Sequence, residues 1–234
     1  MARPLNKIDV YLEIGKKRTF ASAIDWPGWC RSGRDESSAL QALLEYGPHY
    51  ARVLRRAQLG FKAPDDISAF TVIERLEGNA TTDFGAPGIA ASSDSRPVNS
   101  LELQRLQRIL KACWRTFDAN VKVATGKALR TGPRGGGREL KGIIQHLLGS
   151  DAGYLAQVGW KLEKDEVDDL DKLARQLDQT RQAILKALIA SARGEIPARG
   201  SRGGMRWSPR YFVRRLAWHV LDHAWEIGDR LLSD

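Results

Sequence analysis

The chain has 234 residues, of which 42% are hydrophobic and 28% charged, with a net charge of +9. That is enough for one or two domains with a sizeable core, and it excludes fibrous, low-complexity and disulfide-stapled classes. The sequence holds no apolar run of ~18 residues, no signal-peptide core near its start, and only two cysteines, Cys30 and Cys113, so a cytoplasmic protein away from membranes is expected.

The charge is unevenly spread. Residues 1–98 hold 13 basic and 12 acidic side chains, so almost all of the excess lies in residues 99–234. Most of it falls in two loops, Lys127 to Lys141 and Arg193 to Arg215. A basic surface attracts nucleic acid, anionic metabolites or a membrane face, and charge alone does not choose among them.

Residues 6–14 (NKIDVYLEI) alternate apolar and polar, as a half-buried strand does. Arg18 to Asp25 reads as a second strand after a Gly15–Lys17 turn, and Trp29-Cys30-Arg31 as a short third one after the Pro27-Gly28 break. Asp35 caps a helix carrying Ala39, Leu40, Leu43, Leu44, Tyr50, Val53 and Leu54, which Pro48 kinks or breaks. Ala69 to Leu76 (AFTVIERL) reads as one more strand.

The run F-x-S-x-x-D-W-P-G-W-C-R-S-G-R-D-E-S-S-A-L-Q-A-L, from Phe20 to Leu43, resembles the core of HicB-like antitoxin domains. The resemblance covers about Lys7 to Leu76 and implies a small β-β-β-α-β fold for residues 1–77. A DNA-binding tail of the usual kind is missing, so the resemblance speaks for the fold more than for toxin binding.

Gly78 to Ser100 is rich in Gly, Ala, Ser, Thr and Pro and has little apolar periodicity. Residues 78–98 therefore read as a solvated linker, or as a lid that sets Asp83 and Phe84 over a neighbouring site. From Asn99 the pattern is helical. Asn99 with Glu102 fits a capping box, and Leu103, Leu106, Leu110, Trp114, Phe117 and Val121 recur every three or four residues. After the loop Thr131 to Arg138, a second helix carries Leu140, Ile143, Ile144, Leu147, Leu148 and Leu155, with Gly149 and Gly153 placed to admit a close neighbour. A third (Leu170, Leu173, Leu177, Ile184, Leu188) ends at Gly194, and Pro209 begins a fourth. Four such helices over residues 99–234 close naturally as a four-helix bundle. The fold class expected is α+β.

The fourth helix carries the chemistry. In RYFVRRLAWHVLDHAWEIGDR, His219 and His223 lie four apart, one turn up and about 40° round, so both imidazoles leave one face. The helix is apolar over most of its circumference and should be largely buried. The chain has four histidines. His146 lies mid-helix beside the stripe that faces the core, and His49, in the first domain, reads as a surface group. Three neutral imidazoles suit Zn²⁺, Ni²⁺ or Fe²⁺ and leave coordination positions open for water or substrate. An ion so held lowers the pKa of a bound water or thiol. An isolated H-x-x-x-H is common on structural helices; the third histidine, in a chain with one other, is what favours a metal.

A histidine in the second helix and H-x-x-x-H in the fourth resembles the DinB-like family over Asn99 to Asp234. The resemblance implies a four-helix bundle holding a divalent ion on His146, His219 and His223. It also implies homodimers and kinship with S-transferases and isomerases that use bacillithiol or mycothiol. Glu226 is a candidate acceptor for a ring N–H or the partner of a rim arginine, and Tyr154 a candidate pocket residue. Arg206, Arg210 and Arg214 are candidates to hold an anionic substrate such as a carboxylate-bearing thiol, or simply to solvate their loops.

The expectation is thus a metal-dependent transferase or hydrolase acting on a small molecule, with the β-containing domain covering or regulating the pocket. The rival is a binding module whose HicB-like domain docks a protein or RNA and whose bundle is a support. Nucleic-acid binding through the Arg-rich loops ranks lowest, because aromatic residues are scarce in them apart from Trp207.

Overall fold

A computed structural model describes residues 7–131, 137–162 and 170–231 of the chain. It is mixed α+β and divides into two compact units, Met1–Arg96 and Pro97–Asp234. Residues 132–136, the middle of the Gly- and Arg-rich loop, lie outside the described residues.

Among its described residues the first unit has four strands, β1 (Ile8–Ile14), β2 (Thr19–Ala23), β3 (Cys30–Gly33) and β4 (Phe70–Glu77), in the order β3-β2-β1-β4. β2 pairs antiparallel with β1 and with β3, whereas β1 and β4 run parallel. The parallel pair requires a crossover. Helices α1 (Glu36–Glu45) and α2 (Gly47–Leu54) lie within it. Asp35 caps α1, its carboxylate accepting from Ser38 N at 2.8 Å, and Pro48 sits in the first turn of α2, which explains the break at Tyr46. Trp29 is fully buried, donates from Nε1 to Leu43 O at 2.9 Å and stacks on Tyr50, whose hydroxyl donates to Pro27 O at 2.8 Å. Both large polar-tipped rings therefore find acceptors.

The structure corrects two expectations here. β1 is not half-buried: Val10, Tyr11, Leu12 and Glu13 are all buried. The reason is the stretch read as a linker or lid. Instead of crossing solvent, residues 78–96 form α3 (Ala80–Phe84) and a 3₁₀ turn (Ser92–Ser95) and bring Ala91 against Tyr11, Ile24 and Leu76. Glu13 accepts hydrogen bonds from the Thr82 hydroxyl and from the backbone N–H groups of Gly88 and Ile89. Asp83 accepts from Lys17 N at 2.7 Å, and a β-carbon on Gly15 would stand 2.4 Å from its Oδ1. The same β-carbon would stand 3.0 Å from Arg18 O, so a side chain at position 15 would have to displace the Asp83 carboxylate. The division between the units falls at Arg96 and Pro97.

The second unit has four long helices among its described residues: α4 (Ser100–Ala124), α5 (Leu140–Gln157), α6 (Leu170–Ala192) and α7 (Pro209–Arg230). Asn99 caps α4, accepting from Glu102 N at 2.9 Å, and Ser208 caps α7 ahead of Pro209. Gly194, with φ of +74°, turns the chain at the end of α6. α7 packs on α4, α5 and α6, and every residue from Tyr211 to Leu221 is buried. That is what its apolar circumference predicts. Arg181 of α6 pairs with Asp118 of α4 at 2.6 Å, and Asn120 of α4 donates to Ala224 O of α7. Among the described residues Gly149 and Gly153 serve no close helix contact: a β-carbon on either would meet none of their atoms within 4 Å. Among the described residues no helix is long and apolar enough to cross a membrane.

Candidate metal centre

α7 sets His219 and His223 on one face, and α5, packed against it, adds His146. The ligand atoms of the three lie within 4.8 Å of one another. His219 Nε2 stands 3.2 Å from His146 Nε2 and 3.1 Å from His223 Nε2. His219 and His223 are buried and His146 half-buried. Burial holds the His146 ring below the usual imidazole pKa, with Arg138 and His223 adding to the effect. Burial lowers His219 much further, helped by the charges of His223, His146, Arg215 and Arg138. These two rings are therefore neutral at physiological pH, the form in which imidazole is a ligand.

Glu226 takes both roles considered for it. Its Oε2 meets His223 Nδ1 at 2.7 Å, while Oε1 accepts from Arg230 Nη1 at 2.6 Å. The His223 hydrogen bond first, and then Arg230, hold the Glu226 carboxyl below the usual range despite partial burial. The carboxylate fixes the proton of His223 on Nδ1, which leaves the Nε2 lone pair turned to the other two rings. Hydrogen bonding alone cannot then satisfy the cluster. A proton on His219 Nε2 can serve the contact to His223 or the one to His146, not both well, and without it two lone pairs collide. His219 Nδ1 is also buried with no hydrogen-bond partner among the described residues.

A divalent ion fits this donor set. Nitrogens sharing one Zn²⁺ at about 2.0–2.1 Å in a tetrahedral array lie about 3.3–3.4 Å apart, and somewhat closer in an octahedral one. The two spacings from His219 Nε2, 3.1 and 3.2 Å, lie between the tetrahedral and octahedral values, and all three ligand atoms lie within 4.8 Å of one another.

Around the cluster, Tyr154 approaches His219 with ring centres 5.8 Å apart and contacts Trp207 at 5.3 Å, and Trp207 contacts Tyr211 at 4.8 Å. Tyr154 thus lines the site, and burial raises its hydroxyl above the ordinary phenol pKa. The three arginines considered for an anion have the following partners. Arg210 is bound to Glu102 at 2.7 Å and to Pro97 O, Arg206 donates to Pro197 O at 2.9 Å, and Arg214 is buried and engaged. Asp83 is held by Lys17 in the first unit, and His49 is exposed beside Arg52. Trp218 and Trp225 are buried.

Arg215 is the residue that sequence reasoning passed over. Its Nη2 donates to the Tyr154 hydroxyl at 3.2 Å, and it lies one turn before His219 on α7. The same four-residue spacing that pairs His219 with His223 places Arg215 on that face, but among Arg210, Arg214 and Arg215 it reads as one more loop-flanking cation. No family model, curated protein or solved structure matches the chain.

Proposed function

We propose that residues 99–234 form a DinB-like four-helix bundle that holds one divalent ion (Zn²⁺, Ni²⁺ or Fe²⁺) on His146, His219 and His223. In this reading the protein is a cytoplasmic metal-dependent transferase or hydrolase acting on a small molecule, and residues 1–77 are a HicB-like domain. The observation that carries it is the convergence of three imidazole Nε2 atoms from two helices, an arrangement that hydrogen bonds alone leave unsatisfied.

When bound, such an ion supplies Lewis acidity and lowers the pKa of a coordinated group. The chain's own residues do the rest. Glu226 keeps the His223 proton on Nδ1, and burial keeps His146 and His219 neutral. Tyr154, Trp207 and Tyr211 form an aromatic wall beside the rings, which orients a substrate and excludes water.

Elemental analysis of the purified protein tests the reading. A stoichiometric divalent ion is expected, and His219→Ala should lose it while keeping the helical circular dichroism of the parent. Protein that takes up no ion from a buffered zinc or nickel solution, or that holds it equally well after His219→Ala, overturns the metal centre. It would leave the HicB-like binding module as the better account.

A further inference from the structure

Arg215 is buried, with 8% of its surface exposed. Among the described residues no carboxylate pairs with it. One neutral hydroxyl, Tyr154, accepts from Nη2, and the guanidinium lies over the Trp218 ring at 5.0 Å and the Tyr154 ring at 5.4 Å. Nε and Nη1 are buried without a hydrogen-bond partner among the described residues. Ring faces offset part of the cost of burying this charge, but an unmade bond from a charged donor remains expensive. Among the described residues several other half-buried or buried arginines of this unit do meet a carboxylate: Arg181 meets Asp118, Arg210 meets Glu102 and Arg230 meets Glu226. An unmatched guanidinium one turn from three convergent imidazoles is the kind of local conflict that sites for ligands retain.

From these observations we infer that Arg215 is the receptor for a carboxylate of the substrate, whose other end reaches the three histidines. The planar guanidinium matches two carboxylate oxygens in a way a lysine does not. A single neutral hydrogen bond and two ring contacts hold it, so its flexible stem can turn the free N–H groups to an arriving anion at small cost. Residues four apart on a helix are separated by about 6 Å along the axis. The ligand therefore carries its carboxylate two or three carbons from the group that meets the metal, along the wall of Tyr154 and Trp207. The second half of this statement rests on the metal-centre reading; the carboxylate site itself does not.

The experiment compares succinic monohydroxamate with its neutral isostere 4-methylpentanohydroxamate on the zinc- or cobalt-loaded protein, with metal content measured alongside. The wild type should bind the acid at least about tenfold more tightly, the usual reach of a charge-assisted pair. Arg215→Met should erase the preference without changing metal content, and Arg215→Lys should restore part of it. Loaded wild type that shows no preference overturns the inference while the metal centre stands. If no metal binds, the metal reading falls, and propionate against chloride at matched ionic strength decides on the metal-free protein. A rise in melting temperature that Arg215→Met abolishes supports the carboxylate site, and no rise overturns it. Arg215→Met that melts well below the parent, or fails to fold, marks Arg215 as structural and also overturns the inference.

Discussion

Each unit buries charge, and the two do it in opposite ways. In the first, Glu13 has no exposed surface, and its carboxylate accepts from the Thr82 hydroxyl and from Gly88 and Ile89 N–H. All the donors come from the stretch that follows β4, so the buried charge ties that stretch to the sheet. In the second, the Arg215 guanidinium is buried with Nε and Nη1 unpartnered among the described residues, one turn from the neutral His219, whose Nδ1 is unpartnered as well. A satisfied buried charge holds a fold together; an unsatisfied one is costly to the fold and finds its reason in something that binds.

The largest effect expected from this contrast is at Glu13. Glu13→Ala leaves the Thr82 hydroxyl and two backbone donors facing an apolar gap, and should cost the first unit about 3–5 kcal/mol. Denaturant unfolding followed through the buried Trp29 measures it. A cost under about 1 kcal/mol would mean that residues 78–96 are held by apolar contacts such as Ala91 on Tyr11, and the contrast between the units would lose one side.

Next in size is Glu226. It positions His223 through Nδ1 while Arg230 holds it from behind. Removing such a partner typically weakens metal affinity 10- to 100-fold. Glu226→Ala should do so in a competition titration against a chromophoric chelator, and Glu226→Gln, which can still accept from Nδ1–H, should do so less. Unchanged affinity in both would show that the histidines are not organised as a ligand set.

Much of this was legible because it is local. Asp35, Asn99 and Pro209 announce helix starts by their own side chains, and the four-residue step from His219 to His223 needs only helix geometry. What escaped is tertiary. Residues 78–96 carry few large apolar side chains because they bind β1 largely through backbone N–H groups, and backbone donors leave no trace in composition. Gly149 and Gly153 look like a helix-packing face, yet whether a neighbour approaches is decided elsewhere in the chain. Arg215 was hidden by abundance, since its loss of partners is visible only once Tyr154 and Trp218 are in place around it.

Asp151 supplies the last and smallest test, because it is a buried carboxyl like Glu13 with the opposite expectation. It is 4% exposed on α5, and burial pushes its pKa from 3.8 up to about 7, against the pull of Arg181, which is already paired with Asp118. Between those values the folded chain keeps the proton that the unfolded chain has released. Its contribution to stability is therefore complete below pH 3.8 and lost as the pH rises through about 7. A shift of that size corresponds to about 4 kcal/mol at most, and relaxation around the ionised group should reduce it to about 1–2 kcal/mol. Asp151→Asn stays neutral throughout, so it should match the parent near pH 4 and exceed it by that amount at about pH 8. Where Glu13→Ala loses stability because donors are left bare, Asp151→Asn gains it because a buried charge never has to form. A variant less stable than the parent at the higher pH would place an unrecognised hydrogen-bond donor on Asp151 and return it to the class of Glu13.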